Sequence, residues 1–408
     1  MRLTLLNIFF LGFASGLPFL LILSTLSLWL SEVGLSKSMV GFFAWITLPY
    51  SMKFLLSPII DLVSIPLLTR ILGRRRSWLL CSQICLIVAI NFLGRCNPQS
   101  EIIKTALLAL IVGIFSALQD LTIEVYRIEN VDKRLAGYGI SSLVLGYRFG
   151  MLFAGAGTIF LAAIWDSWQA AYSVMSLFMI IGVVATLTCK ESLLVNLNKY
   201  PPQKISFKEQ FWVPIKKFIK GQQWFLIVVF IFSYKLADTI LNMMSMPFLL
   251  EIGFSKLEIA SVAKTFGIGS MIIGSLIGGL FVVKYSLRSV LLVCILLQIV
   301  SALLFMVQAR VGNDLRALFV TMGIENFACG VNQVALIAYI SRLCSKPNTA
   351  LHYALLSSLA SLARVVLSSG AGLLAEQMAW PTYYMLVALL CIPGLCIVLI
   401  YKEHFASH

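Results

Sequence analysis

Ten charged residues lie in or at the edge of long apolar runs, where water cannot solvate them. The bases are Lys53, Arg148, Lys235, Lys264 and Arg364; the acids are Asp61, Asp120, Glu124, Asp238 and Glu325. A charge at the centre of a bilayer costs roughly 2.5–3.5 kcal/mol on insertion scales, so such residues face a cavity or one another. Ion pairing that only ties helices together explains any single one of them as well as function does. The whole set needs more partners than that reading supplies. Arg148 and Arg364 each follow a Ser-Ser-Leu triplet, Ser141-Ser-Leu143 and Ser357-Ser-Leu359. A guanidinium keeps its charge, and its planar fork fits a carboxylate or a phosphate, which points to an anionic ligand. Asp120 and Glu124 are four residues apart and share a helical face, where a carboxylate can take up and release a proton. Glu325 is a second candidate proton carrier; for Glu124, an ion pair with Arg127 is an equal alternative. Lys235 and Asp238 are three apart, a spacing suited to a structural or gating pair. Lys53, Lys264 and Gln119 complete the candidate ligand contacts.

The elements that position these groups are membrane helices. The 408 residues are 60% hydrophobic and only 12% charged, about half the charge that a soluble domain carries. Apolar runs of about twenty residues recur, each able to cross roughly 30 Å of hydrocarbon as a helix. No β-barrel alternation is present, so the fold class is all-α and integral to the membrane. Spans are expected at 5–30, 38–60, 77–95, 102–126, 136–164 and 168–189, then at 223–250, 257–283, 287–309, 313–341, 350–377 and 380–401. The first reads as a retained span, because its apolar stretch is too long for a signal peptide and no cleavage site follows. The one long polar segment, 190–222, separates a 1–189 half from a 223–408 half.

The net charge of +14 follows topology. Twenty Lys and Arg residues fall in loops on one side, Arg74, Arg75 and Arg76 among them, and six on the other. That bias places both termini and the 190–222 segment in the cytoplasm and leaves no reason to invoke nucleic acid. Attraction to anionic lipid is a by-product. Nine cysteines and three histidines show no metal-ligand spacing, and Cys81 with Cys85 reads as apolar filling. Neither a nucleophile–base pair nor a phosphate-binding glycine loop is present, so the chain reads as neither an enzyme nor a cofactor or metal binder.

Three internal echoes run in the same order through both halves. Glu32-Val-Gly-Leu-Ser-Lys37 returns as Glu251-Ile-Gly-Phe-Ser-Lys256, the Ser-Ser-Leu and Arg set recurs, and Trp168 with Tyr172 returns as Trp380 with Tyr384. Two six-span halves of the same sidedness form a parallel repeat, the arrangement of the major facilitator superfamily, with a site between the halves and access alternating as they rock. Glycines thicken in spans five, eight and eleven, which reads as close helix packing.

Longer motifs carry a family resemblance: Gly12-Phe-Ala-Ser-Gly-Leu-Pro18, Leu48-Pro-Tyr-Ser-Met-Lys-Phe-Leu-Leu-Ser-Pro58, Gly73-Arg-Arg-Arg-Ser-Trp78, Gln119-Asp120 with Glu124, and Tyr353-Ala-Leu-Leu-Ser-Ser-Leu359. Together they resemble the AmpG muropeptide permeases, a branch of the major facilitator superfamily. The resemblance implies proton-coupled import of anhydro-muropeptides, anionic sugar–peptide fragments of the cell wall, across a bacterial inner membrane; the chain itself is expected to act as a monomer. It also implies that Asp120 is the span-four acid, that Lys53 is the span-two lysine, and that Asp61 with Arg74, Arg75 and Arg76 forms a cytoplasmic gate. An acetyl-CoA or nucleotide-like carrier of the same branch is the alternative. A membrane sensor or enzyme is disfavoured by the lack of an appended domain or a catalytic constellation.

Overall fold

A computed structural model describes residues 2–35, 39, 43–189, 212–213, 215–216, 220, 224–259, 261–262, 266–344 and 348–401. Most of the 190–222 segment lies outside the described residues, as does Lys264. So does the side chain of Arg364, whose backbone lies in the helix Thr349–Gln377. All regular structure among the described residues is helical. An apolar solvent leaves the chain no other way to satisfy its backbone polar groups short of a closed barrel.

The helices follow the apolar runs closely. Spans three, four and six are Arg74–Gly94, Ile102–Asn130 and Trp168–Thr188; spans seven, nine and ten are Trp224–Glu251, Leu287–Val311 and Leu315–Leu343. Span one breaks at Leu23 into Arg2–Ile22 and Ser24–Glu32. Span five contains one π turn, Phe153–Gly157, between Ala136–Leu152 and Thr158–Trp165. The Thr25 hydroxyl donates to the Ala154 carbonyl in that turn at 3.0 Å, which satisfies a group that the altered ladder would strand. Span two is fragmented into Phe43–Thr47, Leu48–Ser51 and Lys53–Leu62. Span twelve is Trp380–Leu390 and Ile392–Ile400.

Among the described residues nine helices are long and apolar enough to cross a membrane. Span ten is not one of them, although its helix has 29 residues. Glu325, Asn326, Asn332 and Gln333 lower its hydropathy, and the first three are buried.

The chain divides into two compact units. The first comprises Met1–Asp132, Ser142–Lys216 and Leu343–Ser358; the second comprises Lys133–Ser141, Lys217–Arg342 and Leu359–His408. Short starts of spans five and eleven are thus exchanged relative to a cut at the polar segment. Within the second unit the Ser141 hydroxyl donates to the Ser275 carbonyl of span eight at 2.6 Å.

Each unit is built on the same pairing of helices: span three against span six in the first, and span nine against span twelve in the second. Arg76, on span three, donates to the Thr186 and Leu187 carbonyls that end span six, at 3.0 and 2.7 Å. Arg288, on span nine, donates in the same way to Val398 and Leu399 at 3.0 and 3.2 Å. A cation on the last carbonyls of a helix offsets both their unmet hydrogen bonds and the negative end of the helix dipole. Arg76 and Arg288 are 212 positions apart, the spacing that also relates Trp168 to Trp380. The repeat is therefore structural as well as textual.

Glycine faces set the closest approach in the first unit. A Cβ on Gly12 or Gly16 of span one would collide with the Leu143 and Tyr147 carbonyls, and one on Gly146 or Gly150 of span five with those of Phe9 and Phe13. Both helices carry glycines four apart, so the two backbones touch over two turns. The expectation of close glycine packing in span five is met there, and its partner is span one.

Candidate functional site

Span four brings Ser116, Gln119 and Asp120 onto one buried face. Asp120 accepts a hydrogen bond from the Ser15 hydroxyl of span one through Oδ1. Its Oδ2 meets the Lys53 ammonium of span two at 3.1 Å. Lys53 also lies over the Tyr50 ring, 5.5 Å from its centroid, and the Tyr50 and Ser116 hydroxyls approach each other. Gln119 donates to the Ala14 carbonyl at 2.9 Å, while its own carbonyl oxygen is buried without a partner. Asp120 is 9% exposed. A buried carboxylate–ammonium pair with one further donor is stable as it stands, but loss of either charge leaves the other stranded at a cost of several kcal/mol. Protonation of Asp120 and release of Lys53 are thus linked events.

Glu124 is one turn away and engaged elsewhere. It accepts from Arg127 Nη2 and Nε at 2.7 and 2.9 Å, and the Tyr353 hydroxyl, from the start of span eleven, lies against it. The ion-pair alternative for Glu124 is the arrangement present.

A second network joins the ends of spans two, three and four. Arg75 is 6% exposed and forked between two acids. Its Nη1 lies 2.9 Å from Asp61 Oδ1, while Nη2 and Nε donate to Glu129 at 2.9 and 3.0 Å. Arg74 donates to the Asp61 backbone carbonyl at 2.7 Å. The three arginines thus divide their work: Arg75 pairs, Arg74 braces the end of span two, and Arg76 caps span six.

In the second unit Lys235 and Asp238 form the expected pair at 3.1 Å. Asn242 donates to the Asp238 carbonyl and, at 3.3 Å, to its carboxylate. Glu325 of span ten is buried beside Asp238 and Asn242. Arg148 is half-buried on span five, with Nη1 3.9 Å from Met151 Sδ.

The structure therefore gathers Asp120, Lys53 and Gln119 at one place, Asp61 and Arg75 at a second, and Asp238 and Glu325 at a third. Sequence reasoning missed Ser15, Tyr50 and Glu129. Glu129 sits in the last turn of a helix that runs four residues beyond its apolar run, and hydropathy carries no signal there. Ser15 and Tyr50 lie inside motifs already noted, but nothing in their own spacing ties them to Asp120.

Comparison with known proteins identifies the family and the fold. The Major Facilitator Superfamily description matches residues 8–244 and 233–408. The Rickettsia prowazekii (strain Madrid E) protein named "Putative transporter AmpG 3" is 33% identical over 100% of this chain and 98% of its own length. The "Anhydromuropeptide permease" of Escherichia coli (strain K12) is 32% identical over 96% of this chain and 78% of its own. The solved structure of FucP, a Major Facilitator Superfamily transporter in the outward conformation, shares the fold with a TM-score of 0.68 at 13% identity, covering 100% of this chain and 99% of that one. The proton:xylose symporter XylE shares it with a TM-score of 0.67 at 13% identity, covering 98% and 94%. The protein is a multi-pass secondary transporter of the bacterial inner membrane that acts on a small molecule and is not an enzyme. The chain belongs to the AmpG transporters of the Major Facilitator Superfamily.

Proposed function

We propose that this protein imports anhydro-muropeptides from periplasm to cytoplasm together with protons. It works as a monomer in the bilayer, with both termini inside. Two six-helix bundles, 1–189 and 223–408, alternate access to a site between them and are joined by a cytoplasmic 190–222 segment. The name of the Escherichia coli relative supports the substrate. The observation that carries the mechanism is the buried Lys53–Asp120 pair at 3.1 Å. One ammonium cannot satisfy two carboxylates equally in a dry site. A substrate carboxylate that takes Lys53 leaves Asp120 uncompensated, and Asp120 then takes a proton. Substrate and proton thus load together, and discharge of one to the cytoplasm releases the other. Arg148 and Arg364 bind further anionic groups of the substrate, with Lys264 and Gln119 alongside. Asp61, Arg74, Arg75 and Arg76, with Lys235 and Asp238, belong to the gates.

The test is Asp120→Asn in membrane vesicles loaded with labelled anhydro-muropeptide. The variant should lose accumulation driven by an imposed pH gradient and keep exchange of internal for external substrate, because Asn preserves shape but cannot cycle a proton. Undiminished gradient-driven accumulation by the variant places the proton elsewhere. Uptake of acetyl-CoA in preference to muropeptide by the wild-type protein would overturn the substrate.

A further inference from the structure

The second unit holds a half-open cavity of about 20 Å³, lined among others by Asp238, Asn242, Gln298, Ser301, Glu325 and Asn332. That volume holds one water-sized occupant. Three of the lining side chains are more than nine-tenths buried and lack a partner for an atom: Gln298 Nε2 (6% exposed), Ser301 Oγ (3%) and Asn332 Oδ1 (5%). Buried polar atoms left unpaired cost about 1–3 kcal/mol each, so a cluster of three around one void marks a place for something that satisfies them.

The charge of the site is also unbalanced. Lys235 neutralises Asp238. No base among the described residues lies within 4 Å of Glu325, itself 6% exposed. Among the described residues Glu325 is thus left without a countercharge. A divalent ion in an oxygen cage draws on several carboxylates, so this site matches a monovalent cation.

The internal repeat carries apolar residues at three of these polar positions. At the 212-residue spacing that relates Arg76 to Arg288, Gln298 and Ser301 correspond to Leu86 and Ala89. Spans four and ten, Ile102–Asn130 and Leu315–Leu343, are 213 apart at both ends, which matches Glu325 to Val112. Leu86, Ala89 and Val112 belong to one buried apolar core cluster of the first unit. Three of the lining positions are thus apolar core in the first unit, while Asn332 corresponds to the buried Gln119 and is polar in both.

We propose that this cavity binds one sodium ion, coordinated by Glu325 with oxygens of Asp238, Ser301 and Asn332. Turning over the Gln298 amide, which places its oxygen inward, adds a fifth ligand. The proposal is independent of the substrate, and its test requires no transport. Thermal unfolding of the intact, detergent-solubilised protein is followed in sodium, potassium and choline chloride at equal ionic strength. The expected result is a saturable rise in midpoint in sodium that choline does not give, since a ligand bound only by the folded state stabilises it. Radioactive sodium should bind at one ion per chain. Ser301→Ala, which installs the residue type that the first unit carries, should fold and lose most of the sodium-dependent rise, and Glu325→Gln should abolish it. Equal midpoints in sodium and choline, an equal rise in potassium, or a full sodium-dependent rise in both variants overturns the assignment.

Discussion

Replacing Arg75 by Gln strips the countercharge from two acids at once. Arg75 bonds Asp61 through one nitrogen and Glu129 through two, at 2.9–3.0 Å. The side chains are 7%, 17% and 14% exposed. Breaking a buried ion pair by removing one partner costs about 3–5 kcal/mol. The two carboxylates keep some access to water, which favours the lower end, about 3 kcal/mol. A unit of some two hundred residues loses roughly 2–4 °C of melting temperature per kcal/mol, so the first unit should melt about 6–12 °C lower. The assay is thermal unfolding in detergent, read through buried-cysteine labelling at Cys189 for the first unit and Cys294 for the second. The loss should concentrate at Cys189. Adding Asp61→Asn and Glu129→Gln to the Arg75→Gln background should recover at least half of it, because the stranded charges, more than the lost hydrogen bonds, carry the penalty. An unchanged melting temperature in Arg75→Gln, or a neutralised triple variant no better than the single one, refutes the reasoning.

Two further outcomes follow from the packing. Gly146→Val should lower the yield of folded protein sharply, since its side chain meets the Phe9 carbonyl with no room to yield; size-exclusion profiles after mild extraction read this directly, and a normal profile refutes the close contact. Arg76→Gln and Arg288→Gln should each lower the melting temperature by a similar amount. Each variant loses charged hydrogen bonds to a helix end, worth roughly 1.5–3 kcal/mol each; a large effect in one and none in the other would break the equivalence.

Helix positions were legible because a bilayer imposes one length and one composition on every span, and ten-odd apolar runs of that length leave little freedom. Lys235 with Asp238, and Glu124 with Arg127, were readable because three-residue spacing on a helix creates contact by itself. The Lys53–Asp120 pair joins residues 67 positions apart, and the family resemblance names each of them without pairing them. In the sequence Arg76 reads as a loop charge and a gate residue, and Arg288 as a loop charge setting orientation. Their capping roles depend on where spans six and twelve end relative to spans three and nine, which no local pattern encodes. The same limit hid Glu129, whose partner lies 54 positions away. The polar lining around Glu325 is hidden for another reason: Gln298 and Ser301 are isolated polar residues in the described span of highest hydropathy, and their meaning appears only against Leu86 and Ala89.

Span ten has a consequence for how the protein is made. Its 29-residue helix carries an acid and two asparagines, and it is not among the nine described helices long and apolar enough to cross a membrane. The helix translated just before it, Leu287–Val311, has a mean hydropathy of 3.0, the highest of the nine. A translocon that releases helices according to their partitioning would hold span ten until a neighbour shields its polar face. Gln298 and Ser301 of the preceding helix border the same cavity as Glu325. The two helices therefore suit release as a hairpin, with the polar cavity closing at the moment of membrane entry.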